Sequence, residues 1–345
     1  MRKREHIENF AHEVWDWYKQ HKRSLPWRDL TIKNDAERAY RVLVSEVMLQ
    51  QTQVSRVVVI YKRFLREFPS IRDLANASNR EIIMAWRGMG YNSRALRLRD
   101  AVREIVRRSE EVRKYENPSS LLRTSMKIRK CRIQFPVEMD ELMSLPGIGH
   151  YTAAAIRNFA FHVPTPCVET NIRRVLHTRF FGPQKADGTW RVDDRKLLTL
   201  AEEVLKIALC CSRAIPPKED ESKGRIRLST LRTVRSTRAL TADWHAALMD
   251  YGSLALPKIK PKKRVAKKEP GRLVGSVFIP NRIFRGKIIE ELRDAKRGLS
   301  MSELGRLICI DWEPKDHHNW LINILQNLMC DGLIINQKGR YALSE

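Results

Sequence analysis

The sequence predicts a mostly α-helical chain that ends in a small, separate α+β domain. Three observations carry this expectation. From residue 5 to about 100, apolar residues recur at helical spacing and no stretch alternates with period two. Proline and glycine gather at a few junctions, above all Leu145-Pro146-Gly147-Ile148-Gly149. After residue 283, three amphipathic stretches are followed by two short extended pieces around a turn.

Taken in order, the first helix carries Val14, Trp15, Trp17 and Tyr18 and ends near Ser24-Leu25-Pro26. Val42 to Phe68 keeps helical spacing and stops at Pro69. A short helix spans Asn79 to Trp86, Gly88 and Gly90 punctuate a turn, and Arg94 to Val106 is helical again. Residues 107–135 are polar, basic and without period, so they predict an inserted loop. Helical spacing returns over 138–161 and 170–181. A second basic insertion covers about 212–240, where Ser222 to Arg238 holds six basic residues and no acidic one. Thr241 to Leu256 predicts a further helix, opened by Asp243. A basic linker follows over 258–275, densest in KIKPKKRVAKKEPGR. The expected domains are therefore 1–257, the linker, and 276–345.

In the last domain, Ile283 to Ala295 is amphipathic and Gly298 ends it. Ser300 with Glu303 has the spacing of a capping box that opens a second helix. Asp316 to Cys330 places Leu321, Ile324, Leu325 and Leu328 on one face of a third. Three helices and a hairpin resemble a winged helix. Such domains bind DNA or join proteins, and the sequence leaves both open.

Composition narrows the partner. Among 345 residues, 65 Lys and Arg against 40 Asp and Glu leave a net charge of +25, which favours a polyanion. No apolar stretch approaches a membrane span, and MRKREHIENF lacks the apolar core of a signal peptide. The six cysteines form no C-x-x-C pair, as expected of a protein in a reducing cytoplasm, nucleoid-associated if bacterial.

The chemistry begins at Met143–Ile156, MSLPGIGHYTAAAI. Gly147 and Gly149 let the backbone approach a phosphate, with N–H groups of the following helix as donors. With Thr152, this L-P-G-I-G-x-x-T-A hairpin resembles the helix-hairpin-helix of the endonuclease III superfamily of DNA glycosylases. Leu25-Pro26-Trp27-Arg28, Ser45 to Val54 (SEVMLQQTQV), Phe68-Pro69 and Gly88-Met89-Gly90-Tyr91 bring the similarity to the MutY-type adenine glycosylases. It covers residues 5–181 and, more weakly, 241–256, which contains WHAALMDYGSL. The resemblance implies a two-lobed helix-hairpin-helix glycosylase body, acting on duplex DNA with a mispaired or damaged base.

Breaking a purine N-glycosidic bond needs an acid for the leaving base and a carboxylate for the cationic sugar. By resemblance Glu46, between Val44 and Val47-Met48-Leu49, is the acid rather than a solvated helix glutamate. The family's second carboxylate is an aspartate before G-N-V. The matching position here is Glu169, in Val168-Glu169-Thr170-Asn171, one methylene longer. The Thr-Asn pair also resembles the thymine- and uracil-mismatch branch. Asn171 would orient the carboxylate and water. Tyr151 stands where strand-cutting members carry a lysine, which implies monofunctional excision. Tyr91 resembles an intercalating wedge, the alternative being a buried aromatic. Gln51 and Thr52 resemble residues beside the flipped base, and Arg28 a pocket-side arginine.

Two family features are missing. After Gly252 there is no cysteine before Cys309, so the four-cysteine loop of a 4Fe–4S cluster is lacking and no cofactor is expected. The winged-helix-like domain stands where the family carries one that reads 8-oxoguanine. The expected activity is removal of adenine opposite guanine or 8-oxoguanine, by a monomer. A thymine/uracil mismatch glycosylase, a silent DNA-binding protein and a winged-helix regulator stay open as alternatives.

Overall fold

A computed structural model describes residues 2–28, 31–116, 133–185, 188–211, 232–257 and 269–345. In chain order the helices of the body are α1 (Arg2–His21), α2 (Asp35–Leu49), α3 (Val54–Glu67), α4 (Ile71–Asn76), α5 (Asn79–Ala85), α6 (Ser93–Glu116), α7 (Met139–Met143), α8 (His150–Ile156), α9 (Thr170–Phe181), α10 (Asp194–Cys211) and α11 (Arg232–Leu254). A π-helical turn, Arg157–Phe161, extends α8. The C-terminal part holds β1 (Gly271–Val274), β2 (Val277–Pro280), α12 (Asn281–Asp294), β3 (Leu299–Ser300), α13 (Met301–Ile308), α14 (Pro314–Cys330), β4 (Ile334–Gln337) and β5 (Arg340–Leu343). No helix among the described residues is long and apolar enough to cross a membrane.

The chain divides into two compact units. The first comprises residues 1–43, 136–144 and 148–262. Its core is an aromatic wedge between helices: Phe10 of α1 meets Phe180 of α9 edge-on at 5.4 Å, and Trp15 lies 5.3 Å from Trp244 of α11. The Trp15 indole N–H is not left unsatisfied, because it donates to the Ala208 carbonyl of α10 at 3.2 Å. The stripe Leu197, Leu200, Ala201, Val204, Leu205 and Ala208 fills the same core. Its spacing is helical, although α10 is absent from the elements expected above. Residues 212–231 of the second insertion lie outside the described residues. From Arg232 the chain is already helical, so Asp243 does not open α11. It instead pairs with Lys22 at 3.1 Å.

The second unit comprises residues 44–135, 145–147 and 263–345. On α3 the buried residues Val57, Ile60, Tyr61 and Phe64 share one face, and Phe64 meets the fully buried Trp86 edge-on at 5.7 Å. The single helix expected over 42–68 is broken between Leu49 and Val54, where Gln51 takes φ +56°. Reciprocal capping boxes start α4 (Ser70 with Asp73) and α5 (Ser78 with Glu81). Residues 107–116 are not a loop but the last turns of α6. Charge pairs support the helix over 104–111: Arg108 pairs with Glu104 at 2.6 Å and Arg107 with Glu104 at 2.7 Å, and Arg107 also pairs with Glu111. Residues 117–132 of that expected insertion lie outside the described residues, as do 258–268 of the basic linker.

The C-terminal elements follow the expected order, with two additions, the β1–β2 hairpin and the short strand β3. The β1–β2 hairpin, turning through Gly275 at φ +59°, precedes α12. The capping box of Ser300 and Glu303 is formed. β4 and β5 join through Lys338-Gly339, both at positive φ, the conformation that matches the twist of a two-residue hairpin. The sheet order is β3-β5-β4.

Candidate functional site

The expected site residues fall in both units. In the second, Glu46 lies on α2 and is buried, with 7% of its surface exposed, so it is not a solvated helix glutamate. Tyr91 is half exposed, which excludes the buried-aromatic alternative. It holds φ +47°, and Gln51 likewise sits at positive φ. Non-glycine residues adopt this region rarely and persist there only when their surroundings enforce it.

The enforcing group is Arg94, a residue sequence reasoning missed. Its guanidinium is buried and bridges two turns. One fork donates to the carbonyls of Val47 (3.0 Å), Met48 (3.3 Å) and Gln50. The other donates to Thr52 Oγ1 (3.2 Å), Met89 O (3.4 Å) and Gly90 O (3.2 Å). Its charge also lies 5.6 Å from the Tyr91 ring. Arg94 thus ties the chain just after Glu46 to the turn that presents Tyr91. The signal was present: a cation in the first turn of a helix opposes the macrodipole, a local conflict that asks for a reason. Thr52 joins this network, whereas Gln51 is exposed.

In the first unit the centre is Glu169, the N-cap of α9. Its Oε1 accepts from the backbone N–H of Asn171 at 2.7 Å and of Ile172 at 2.8 Å. The extra methylene relative to aspartate is taken up by folding the carboxylate back over its own helix start. Asn171 Nδ2 reaches Oε2 at 3.4 Å, and Arg174 reaches Asn171 Oδ1 at 3.4 Å. Burial pushes the Glu169 carboxyl above the ordinary glutamate range, against the two backbone N–H groups and the charges of Arg173 and Arg174, which pull it down.

A second missed residue explains how Asn171 is held. A Cβ on Gly252 of α11 would lie 2.7 Å from the Asn171 carbonyl oxygen and 2.8 Å from its Cβ. Only glycine lets α11 approach the first turn of α9 this closely. Gly252→Ala is expected to displace Asn171 and lower the excision rate about a hundredfold, with a stability loss of about 1–3 kcal/mol. Single-turnover kinetics and thermal melting check this, and unchanged values for both would refute the contact.

Other expected residues have different surroundings from those anticipated. Arg28 is no open pocket-side cation. It donates to both oxygens of the fully buried Asp250 at 2.9 and 2.8 Å, beside Arg23 at 2.6 Å. A buried carboxylate robbed of its partner would cost about 3–5 kcal/mol, reason enough for Arg28 to be present. Thr152 is buried in α8, so its side chain packs inside the unit. Tyr151 lies partly buried against the core of the first unit. Gly147 has φ +75°, with Arg97 Cβ 3.1 Å from where a Cβ would stand. Gly149 caps α8 with an ordinary extended backbone (φ −96°) and nothing within 4 Å of its missing Cβ.

Among the described residues no three His, Cys, Asp or Glu side chains gather to hold an ion.

Comparison with known proteins adds the following. Residues 44–191 match the model for the HhH-GPD superfamily of base excision DNA repair proteins. An adenine DNA glycosylase of Mus musculus is 38% identical over 199 residues, 57% of this chain and 34% of its own length. One from Mycolicibacterium smegmatis is 29% identical over 338 residues, 96% of this chain and 95% of its own. The chain spans about a third of the length of the mammalian relatives. Among solved structures, a thermostable thymine-DNA glycosylase shares the fold with a TM-score of 0.51 at 21% identity, over 76% of this chain and 93% of that one.

Proposed function

We propose, on the premise that residues 44–191 match the HhH-GPD superfamily of base excision DNA repair proteins, that this chain is a monofunctional, metal-free adenine DNA glycosylase. Its substrate is duplex DNA with adenine opposite guanine or 8-oxoguanine, and it works as a monomer. The observation that carries the reading is Glu169, a partly buried carboxylate fixed by two backbone N–H groups at a helix start. Glu46, buried in the run most like adenine glycosylases, is its counterpart.

The reaction follows from these roles. The target adenine leaves the stack, and Tyr91 fills the opened duplex beside the opposite base. Glu46 gives its proton to the leaving base as the bond to the sugar breaks. Glu169 stabilises the cationic sugar, and Asn171 steadies it and the incoming water. Water adds to the sugar carbon, and its proton goes to a carboxylate. With a phenol at 151 there is no amine for an imine, so the strand stays whole.

Gly149 supports a DNA contact through the hairpin. Nothing lies within 4 Å of its missing Cβ, which leaves the backbone at the start of α8 open to a phosphate. Gly149→Ala is expected to leave thermal stability unchanged and weaken duplex binding about tenfold, the size of one charge-assisted hydrogen bond. Unchanged affinity in a fluorescence titration would refute the contact.

The test of the whole reading is a set of labelled duplexes carrying A·8-oxoguanine, A·G, T·G and U·G pairs, with and without alkali. Alkali-dependent breaks at the adenine-containing pairs are expected. Breaks at T·G or U·G alone would replace adenine with a pyrimidine substrate. Binding without breaks in any duplex would make the protein a silent binder.

A further inference from the structure

The C-terminal domain is an unusual place to look for DNA grip. Residues 269–345 carry eleven Lys and Arg against ten Asp and Glu, so almost none of the +25 excess resides there. Its third helix, α14, has one lysine and one aspartate. A surface that neutralised several phosphates would need more.

The same domain is tightly engaged elsewhere within its unit. Arg293, on α12, is buried. Its guanidinium donates to the Ile83 carbonyl at 3.2 and 3.0 Å and to Asn92 Oδ1 at 3.0 Å. Asn92 directly follows Tyr91. Arg87, in the same turn, pairs with Asp294 at 2.7 Å and with Glu290, which also pairs with Arg293. From another side, Arg63 donates to the carbonyls of Ala85 (3.3 Å) and Arg87 (2.7 Å). Trp86 Nε1 donates to Gly90 O at 3.2 Å. The segment from Ala85 to Asn92 is therefore held from several directions, and α12 supplies one of them.

We propose that α12 is a positioning device for the Tyr91 turn, with Arg293 as a positioning residue that acts beside Arg94, and that the domain acts through this brace rather than by gripping DNA. The physical need is clear: a left-handed tyrosine relaxes unless its neighbours are pinned, and Asn92 is the neighbour that opens α6. A buried guanidinium with two kinds of acceptor pins it more rigidly than an exposed lysine would. That the turn touches DNA rests on the glycosylase reading above; that Arg293 orders the turn does not.

Two readouts on the full chain separate these claims. Hydrogen exchange of the peptide spanning Gly88–Arg94 is compared in the wild type, Arg293→Met and Asn92→Ala, the last removing an acceptor while leaving the guanidinium on Ile83. Single-turnover excision on the A·8-oxoguanine duplex is measured for Arg293→Met, Tyr91→Ala and the double variant. Faster exchange over 88–94 is expected in both brace variants, and a roughly tenfold slower excision in Arg293→Met, the size of one charge-assisted hydrogen bond. The double variant should be no slower than Tyr91→Ala, since residues acting as a unit do not add. Arg285→Ala, which breaks an ion pair with Asp331 inside the domain, should change neither readout. Unchanged exchange over 88–94, or losses that multiply in the double variant, would overturn the brace. If the wild type excises nothing from any duplex, the glycosylase reading fails and the exchange data alone decide the brace.

Discussion

Glu46→Gln should abolish base excision while leaving the fold and duplex binding intact. An amide keeps the volume and hydrogen-bonding shape of the carboxyl but has no proton to give the leaving base. Loss of a general acid costs about 10²–10⁴ in rate. The variant should therefore show a single-turnover rate lower by that factor, an unchanged melting temperature and an unchanged dissociation constant. A variant that bound poorly or melted early would mean that Glu46 is a structural residue. Its burial on α2, close to the carbonyls gathered by Arg94, makes that outcome meaningful.

Glu169→Gln should separate activity from stability in the opposite sense. The amide oxygen can still accept from the N–H groups of Asn171 and Ile172, so the cap survives. The charge does not, and removing an electrostatic stabiliser costs about 10²–10³ in rate. For stability the sign follows from the raised carboxyl pKa. A proton is bound more tightly in the folded than in the unfolded state. The folded protein is therefore penalised as pH rises through the raised value, and the penalty is absent below the ordinary one. Glu169→Gln should melt at the wild-type temperature in acid and above it at neutral pH. Activity runs the other way. It needs the ionised form, so the acid limb of the wild-type rate profile should lie above the ordinary glutamate value of 4.5. A limb at or below that value, or a Gln variant less stable at neutral pH, would contradict this account of Glu169.

Sequence alone carried much of this, unevenly. Local signals were legible: the capping box of Ser300 and Glu303, the hairpin glycines and the SEVMLQQTQV run all act within a few residues of one another. What escaped was long-range. Arg28 and Asp250 are 222 residues apart, and nothing in either neighbourhood announces the pair. Gly252 reads as an ordinary helix glycine until α9 is placed against it. Arg94 opposes its own helix dipole, a conflict explained only when the Gln50 and Gly90 carbonyls converge on it. Residues 107–116 escaped for another reason: side-chain charge pairs over 104–111 support the helix where the sequence shows no apolar period. The positive φ values of Gln51 and Tyr91 are likewise tertiary, imposed on residues that would not choose them.

The central claim, hydrolysis of an adenine N-glycosidic bond by two carboxyl groups, is tested most directly by chromatography of the base released from an A·8-oxoguanine duplex. The account predicts free adenine in one-to-one proportion with alkali-labile sites, no strand break before alkali, and none of either with Glu46→Gln. Strand breaks without alkali, labile sites without free adenine, or undiminished release by Glu46→Gln would contradict it.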